Sequence, residues 1–215
     1  MPNAATYANY YRERCEAGDF FTCFDGGKTR GEYFSLAERN FELNVLPYIE
    51  IGGTCLDLGY GGGGMLRAAE RYFDCLYGVD VHNEGDFVKD HFERCPNLYA
   101  FDGMTIPIAD NSVDVAWSWC VFQHLGSIVI ACSYLEELAR VLKPGGRAVV
   151  YYIPCDDEYE EIDEPRVNIC NLRLSDKFMM DCCSLKRGFK TTSLRPGGGY
   201  GKQSGIVFFK ETNSI

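Results

Sequence analysis

The sequence lacks most of what would suggest a membrane, a secretion route or a metal. No uninterrupted apolar run reaches the roughly 18 residues that a membrane-spanning helix needs. The first residues, MPNAATYANYYRERCEAGD, show no basic stretch followed by an apolar one. They do not read as a secretory signal, and a cytoplasmic location with no membrane partner is expected. Histidine is scarce: His82, His91 and His124 are the only three, too far apart to make a metal cluster, so no metal is expected. Cysteine is not scarce, but its count of eleven is odd and no two fall at C-x-x-C spacing. That pattern supports neither a zinc site nor a disulfide framework. Cys55, Cys75, Cys120 and Cys132 lie in apolar segments, where a reduced thiol behaves as a small hydrophobe. Cys182-Cys183 reads as helix with one thiol buried. Positive charge is short as well: 21 Lys and Arg stand against 31 Asp and Glu, for a net charge of −10. Such a surface repels phosphate backbones, which disfavours nucleic acid as a partner.

What is present centres on Thr54 to Arg67, TCLDLGYGGGGMLR, with five glycines in the six residues 59–64. Cys55, Leu56 and Leu58 read as a buried strand, and the glycines as the turn leaving it. Met65, Ala68, Ala69 and Tyr72 then recur at the spacing of one helix face. Strand, glycine turn and helix in that order bring bare backbone close to a ligand, and the pattern points to a nucleotide-type molecule. A second strand, Cys75 to Val81, carries Asp80 near its end, 21 residues beyond Gly59. At that spacing an acid reaches a ribose diol.

Strands alternate with helices across residues 54–153, which argues for a parallel, doubly wound sheet. Helices are expected over residues 1–20, from Phe34 with Ser35 and Glu38 as a capping box, over 84–95, and over 175–186. Between the first two, Gly26-Gly27 and Gly31 mark a loop. A third strand covers residues 98–101 and a fourth Val113 to Cys120. The helix after it carries Leu135, Leu138, Ala139 and Leu142 on one face and stops at Lys143-Pro144-Gly145-Gly146. The acidic run Asp156 to Glu164 reads as a solvated loop, or as a flap over a substrate mouth. Phe189 to Leu194 and Gly205 to Lys210 read as a β-hairpin.

Gly59-Tyr60-Gly61-Gly62-Gly63-Gly64 satisfies the dinucleotide pattern G-x-G-x-x-G. Leu56-Asp57-Leu58-Gly59-Tyr60-Gly61-Gly62-Gly63 resembles more closely motif I of the class I S-adenosylmethionine-dependent methyltransferases, with an acid two residues before the first glycine. Tyr60 stands where that family often has a small residue or cysteine. The resemblance continues through Gly78-Val79-Asp80, Phe101-Asp102-Gly103, Ile106 to Asp114 (IPIADNSVD), Phe122-Gln123-His124-Leu125 and Glu137 to Gly146 (ELARVLKPGG).

This resemblance implies an α/β fold: a Rossmann-like, doubly wound and mostly parallel seven-stranded sheet, its last strand antiparallel and supplied by the C-terminal hairpin. Residues 1–50, with Tyr7, Tyr10 and Tyr11 close together, read from the residues themselves as a helical cap that covers one sheet edge or as an aromatic lid over the ligand site; the resemblance makes 51–215 the S-adenosylmethionine-binding domain. By the same resemblance Gly59, Tyr60, Gly61 and Gly63 would pass beneath the methionine part of the cofactor, and Asp57 would orient its amino group. Asp80, with Val81 beside it, would hold the ribose hydroxyls. Asp102 would accept from the adenine amine, Gly103 would meet adenine by its backbone, and Cys120 would line the methionine end. His124 is the candidate general base, with a structural role as its alternative. The expected acceptor is a small molecule with an O, N or C nucleophile. The alternatives are protein or peptide methylation, an NAD(P)-dependent oxidoreductase, and a regulatory protein that keeps the cofactor pocket without turnover.

Overall fold

Alternate residues of a strand go to opposite faces of its sheet, and here both faces of the central strands are dry. Strand β1 (Thr54–Leu58) sends Leu56 and Leu58 to one core and Cys55 to the other. Strand β5 (Leu142–Tyr152) divides Ala148, Val150 and Tyr152 from Val149 and Tyr151 in the same way. Continuous apolar runs are what parallel strands covered on both sides require.

The computed structural model describes residues 4–23, 29–82, 84–162, 170–187, 189–194 and 203–211. Strands β2 (Cys75–Asp80), β3 (Asn97–Ala100) and β4 (Val113–Ser118) join β1 and β5 in parallel pairings. Two more strands complete the main sheet, β8 (Phe189–Leu194) and β9 (Ser204–Lys210), in the order β3-β2-β1-β4-β5-β9-β8. Strand β9 runs antiparallel to both β5 and β8. The expected seven-stranded, mostly parallel sheet is thus present, its antiparallel strand last in chain order and second from the edge in space. Helices α2 (Arg30–Asn44) and α3 (Gly64–Ala69) cover one face; α5 (Ile128–Val141) and α6 (Asp176–Arg187) cover the other. No helix among the described residues is long and apolar enough to cross a membrane.

Several local expectations shift. Helix α2 starts one turn early, because Thr29 rather than Ser35 caps it. The Thr29 Oγ1 accepts from the Glu32 backbone N–H at 3.2 Å and donates to the Glu32 carboxylate at 3.1 Å. Gly31 therefore lies inside the helix, while Gly26 and Gly27 fall outside the described residues. Helix α3 stops at Ala69, and Tyr72 closes a turn onto the Ala69 carbonyl. The helix expected over 84–95 shrinks to α4 (Gly85–Lys89). Beyond it the Arg94 backbone N–H meets the Glu70 carboxylate and its guanidinium reaches the Phe73 carbonyl at 2.7 Å, drawing the chain back toward β2. Within the acidic run, Tyr159–Glu161 form a short exposed strand, β6, paired with β7 (Leu172–Leu174). Its carboxylates are engaged: Glu160 pairs with Arg173, and Glu161 accepts from the Ile128 N–H at 2.6 Å. The turn between β8 and β9 lies outside the described residues.

Two segments of the methyltransferase-like pattern meet in one clamp. Arg140 on α5 donates to the carbonyls of Ile106 (2.7 Å) and Ile108 (2.8 Å) and to Asp110, while Glu137 accepts from the Ile106 N–H at 2.7 Å. The hydrogen bond from Arg140 holds the Glu137 carboxyl below its ordinary pKa. Where α2 crosses α3, a Cβ on Gly64 would lie 2.5 Å from the Ala37 Cβ, so the two helices touch backbone to side chain.

Two outcomes are expected. Gly64→Ala should cost about 1–3 kcal/mol by overpacking, and adding Ala37→Gly should recover part of it, read by urea denaturation. Because the folded pKa of Glu137 is depressed, its contribution is present above the unfolded value of about 4.3 and is lost as pH falls through the folded value. Glu137→Gln should therefore lower stability at pH 6, and the gap to the native protein should narrow on titration toward pH 3.

Candidate active site

The carboxyl ends of β1, β2 and β4 open onto a cavity of about 440 Å³, within the roughly 300–1,000 Å³ of small-molecule sites. Gly59 and Gly61 leave β1 with φ of 88° and 52°, a region that favours glycine, and both form part of the wall. Two other glycines of the turn answer to packing instead. A Cβ on Gly62 would lie 2.9 Å from the Tyr33 hydroxyl, and Gly64 is hemmed in by Ala37. Packing against helix α2 therefore accounts for two glycines of the run, and Val88 and Phe92 crowd a third, Gly63. Tyr33 also reaches the start of α3, where its hydroxyl oxygen accepts from the Gly64 N–H at 2.9 Å.

Asp80, at the tip of β2, is buried and fixed by two backbone donors. Its Oδ2 accepts from the Gly61 N–H at 2.8 Å and its Oδ1 from the Val81 N–H at 2.7 Å. An ionised carboxylate offers about four acceptor positions, so each oxygen retains a further one, as a vicinal diol requires. Asp57, one strand over, is only 3 % exposed and lines the same cavity. His82 is fully buried behind Asp80, with Nε2 2.9 Å from the Gly61 carbonyl and Nδ1 accepting from the Glu84 N–H at 3.1 Å.

Of the residues singled out from the sequence, Asp57, Gly59, Tyr60, Gly61, Asp80, Val81, Cys120 and His124 gather on this one wall. Gly63, Asp102 and Gly103 are not part of it. Gly63 caps α3 under Val88 and Phe92. The exposed Asp102 accepts from the Thr105 and Met104 N–H groups, both at 2.8 Å, which holds its carboxyl below the usual range. Phe101 faces the cavity in its place. Strand β4 ends at Ser118, earlier than expected, and Cys120 follows it with φ of 57°, a left-handed conformation rare for a residue with a side chain. Gln203 donates to the Cys120 Sγ at 3.4 Å and to the Gln123 Oε1 at 2.8 Å.

Sequence reasoning missed much of the aromatic lining. Helix α1 (Ala4–Ala17) contributes Tyr7 and Tyr11, whose spacing of four already places them on one helix face. Tyr7 is anchored by donating to the His124 carbonyl at 3.0 Å, a carbonyl that also accepts from Asn171 at 3.1 Å. Tyr134 is one residue before Leu135 on α5 and shares a helix face with Leu138 and Val141. Trp119 and Cys170 carried no sequence signal that separates them from core residues. Burial pushes the Tyr60 and Tyr134 hydroxyls well above their ordinary pKa, so both keep their protons.

The charge balance of the wall is one-sided. Among its described residues are two buried carboxylates, Asp57 and Asp80, and no lysine or arginine. The wall thus combines two buried carboxylates with aromatic rings and bare glycine backbone.

The family described as a methyltransferase domain matches residues 56–150. The chain is similar to the sterol 4-C-methyltransferase strm-1 of Caenorhabditis elegans, 26% identical over 62% of this chain and 42% of that protein. It is also similar to the tRNA (carboxymethyluridine(34)-5-O)-methyltransferase ALKBH8 of Macaca fascicularis, 27% identical over 55% of this chain and 17% of that protein. The chain thus spans less than half the length of these curated relatives. Among solved structures, the [4+2]-cyclase SpnF superposes with a TM-score of 0.73 at 14% identity, covering 99% of this chain and 98% of that one. The Burkholderia thailandensis 1,6-didemethyltoxoflavin-N1-methyltransferase, solved with its acceptor and S-adenosylhomocysteine, gives 0.67 at 13% identity over 97% and 89%. At such identities the structures speak for the fold alone. Residues 56–150 match the methyltransferase-domain family, and the seven-stranded sheet of the chain is the fold of these neighbours.

Proposed function

We propose that the protein transfers the methyl group of S-adenosylmethionine to an O, N or C nucleophile of a small-molecule acceptor. The observation that carries this reading is the pairing of two buried carboxylates with a wall free, among its described residues, of lysine and arginine. A sulfonium and an ammonium suit that wall. A nicotinamide dinucleotide would bring a diphosphate toward Asp57 and Asp80, and the amide at the start of α3 is already taken by Tyr33. In this reading residues 51–215 hold the cofactor and residues 1–50 cap it. Tyr7 and Tyr11, both on the cavity wall, support the cap.

Bound there, the cofactor supplies an already activated methyl group whose departure leaves a neutral thioether. The chain itself contributes alignment and a dry site. Asp57 orients the amino end, Gly59 and Gly61 offer bare backbone beneath it, and Asp80 takes the ribose hydroxyls on its two remaining acceptor positions. Val81, Phe101 and Tyr134 form the apolar wall suited to the base, a part for which the outward-facing Asp102 is poorly placed. Cys120 and Gln123 border the end nearest the acceptor. His124 is the only imidazole among the described wall residues, and we assign it to take the proton from an O–H or N–H acceptor. A small acceptor is favoured over nucleic acid by the net charge of −10 and by the tyrosine-lined cavity.

Calorimetry should detect binding of S-adenosylhomocysteine and none of NAD. Hydrogen bonds to a charged group are each worth about 1.5–3 kcal/mol, so Asp80→Asn should weaken that binding roughly 10- to 100-fold. Tight NAD binding in the absence of S-adenosylhomocysteine binding would reverse the assignment. With an acceptor found by labelled-methyl screening, His124→Gln should abolish the neutral-pH limb of the rate profile. An unchanged profile removes His124 from the chemistry.

A further inference from the structure

We propose that His82 is a positioning residue that sets the orientation of the Gly61 peptide and ties it to the aromatic N-terminal segment. The inference rests on the reading of this cavity as the S-adenosylmethionine site, and concerns a side chain to which the chemistry above gives no part.

His82 is fully buried, and both ring nitrogens are engaged. The Glu84 backbone N–H can only donate, so Nδ1, 3.1 Å away, must be the unprotonated nitrogen. Nε2 then carries the hydrogen and donates to the Gly61 carbonyl at 2.9 Å. The Gly61 N–H donates in turn to Asp80 Oδ2 at 2.8 Å. One glycine is thus held at both its backbone groups by side chains two positions apart, one at the end of β2 and one just past it. The restraint matters because Gly61 has φ of 52° and no Cβ, leaving its backbone the freedom to take up other conformations. Releasing its carbonyl would free the Gly61–Gly62 peptide and with it the φ and ψ of Gly61, loosening the preceding peptide whose N–H fixes the Asp80 carboxylate.

A packing role alone does not explain this ring. A phenyl group would fill the same space among Tyr60, Tyr11 and Phe20, whose ring centroids lie 4.9, 5.5 and 5.5 Å from it, but could make neither hydrogen bond. Tyr11 and Phe20 belong to the N-terminal segment and Tyr60 to the glycine turn, so the histidine links cap and cradle through one side chain. The charged group facing it is Asp80, with Oδ2 3.9 Å from Nε2; the other titratable groups packed on it are the Tyr60 and Tyr11 hydroxyls.

Two variants that differ by one methylene separate its two hydrogen bonds. In His82→Gln the amide nitrogen replaces Nε2 and keeps the bond to Gly61; in His82→Asn the amide oxygen replaces Nδ1 and keeps only the bond to Glu84. S-Adenosylhomocysteine titrated into the full chain should bind His82→Gln within about threefold of the native protein and His82→Asn about tenfold more weakly, in keeping with one lost hydrogen bond in a buried site. Hydrogen exchange at the Gly61 amide, followed by NMR without ligand, should quicken about tenfold in His82→Asn and stay near native in His82→Gln. Equal behaviour of the two variants in both measurements overturns the proposal. If the native protein fails to bind S-adenosylhomocysteine while the exchange contrast holds, the cofactor reading falls and the role of His82 stands.

Discussion

The site depends on one carboxylate. Asp80 ends β2 and accepts from Gly61, in the turn after β1, and from Val81, the residue that follows it. Those bonds hold the carboxylate at the carboxyl end of β2, on the wall of the cavity. Asp57 adds a second from the neighbouring strand, and the described wall contributes no cation to cancel either. In the reading proposed above, a ligand that brings its own positive charge suits this wall better than an anionic one.

Much of the motif pattern is scaffold rather than chemistry. The IPIADNSVD and ELARVLKPGG segments meet through Arg140 and Glu137, which hold residues 106–110 against α5 and touch no part of the cavity. The glycine run divides similarly: Gly59 and Gly61 border the cavity, whereas Gly62 and Gly64 make room for Tyr33 and Ala37 of α2. A motif can therefore identify a family correctly while most of its residues serve to bring two helices within reach of one another.

This division explains what could be read from the sequence. The sheet was legible because its strands are buried on both faces and carry unbroken apolar runs, and because Asp57 and Asp80 sit at strand ends in fixed relation to the glycines. Helix boundaries were less so. Thr29 with Glu32 caps the helix although Ser35 with Glu38 offers the same three-residue pattern one turn on, and long-range bonds from Arg94 cut short a helix that local periodicity would continue. The aromatic lining was hidden for a different reason. Tyr7, Trp119 and Tyr134 look like ordinary core residues until the topology brings α1, β4 and α5 to one rim. Asp102 sits at a strand end as a ligand-binding acid would, yet its carboxylate spends itself on the two amides that follow.

Strand β9 lies between β5 and β8, though β8 precedes it in the chain. During synthesis β5 must therefore emerge and wait, its hydrogen-bonding edge bare, while β8 is made with no strand to pair with. Closure of this side of the sheet awaits β9, whose partners in β5 run from Tyr152 opposite Ser204 to Arg147 opposite Phe209. Pairings so distant in sequence form slowly, and an open apolar edge in the interval can recruit another nascent copy. The protein is thus most exposed to misassembly on the ribosome, shortly before its final strand arrives.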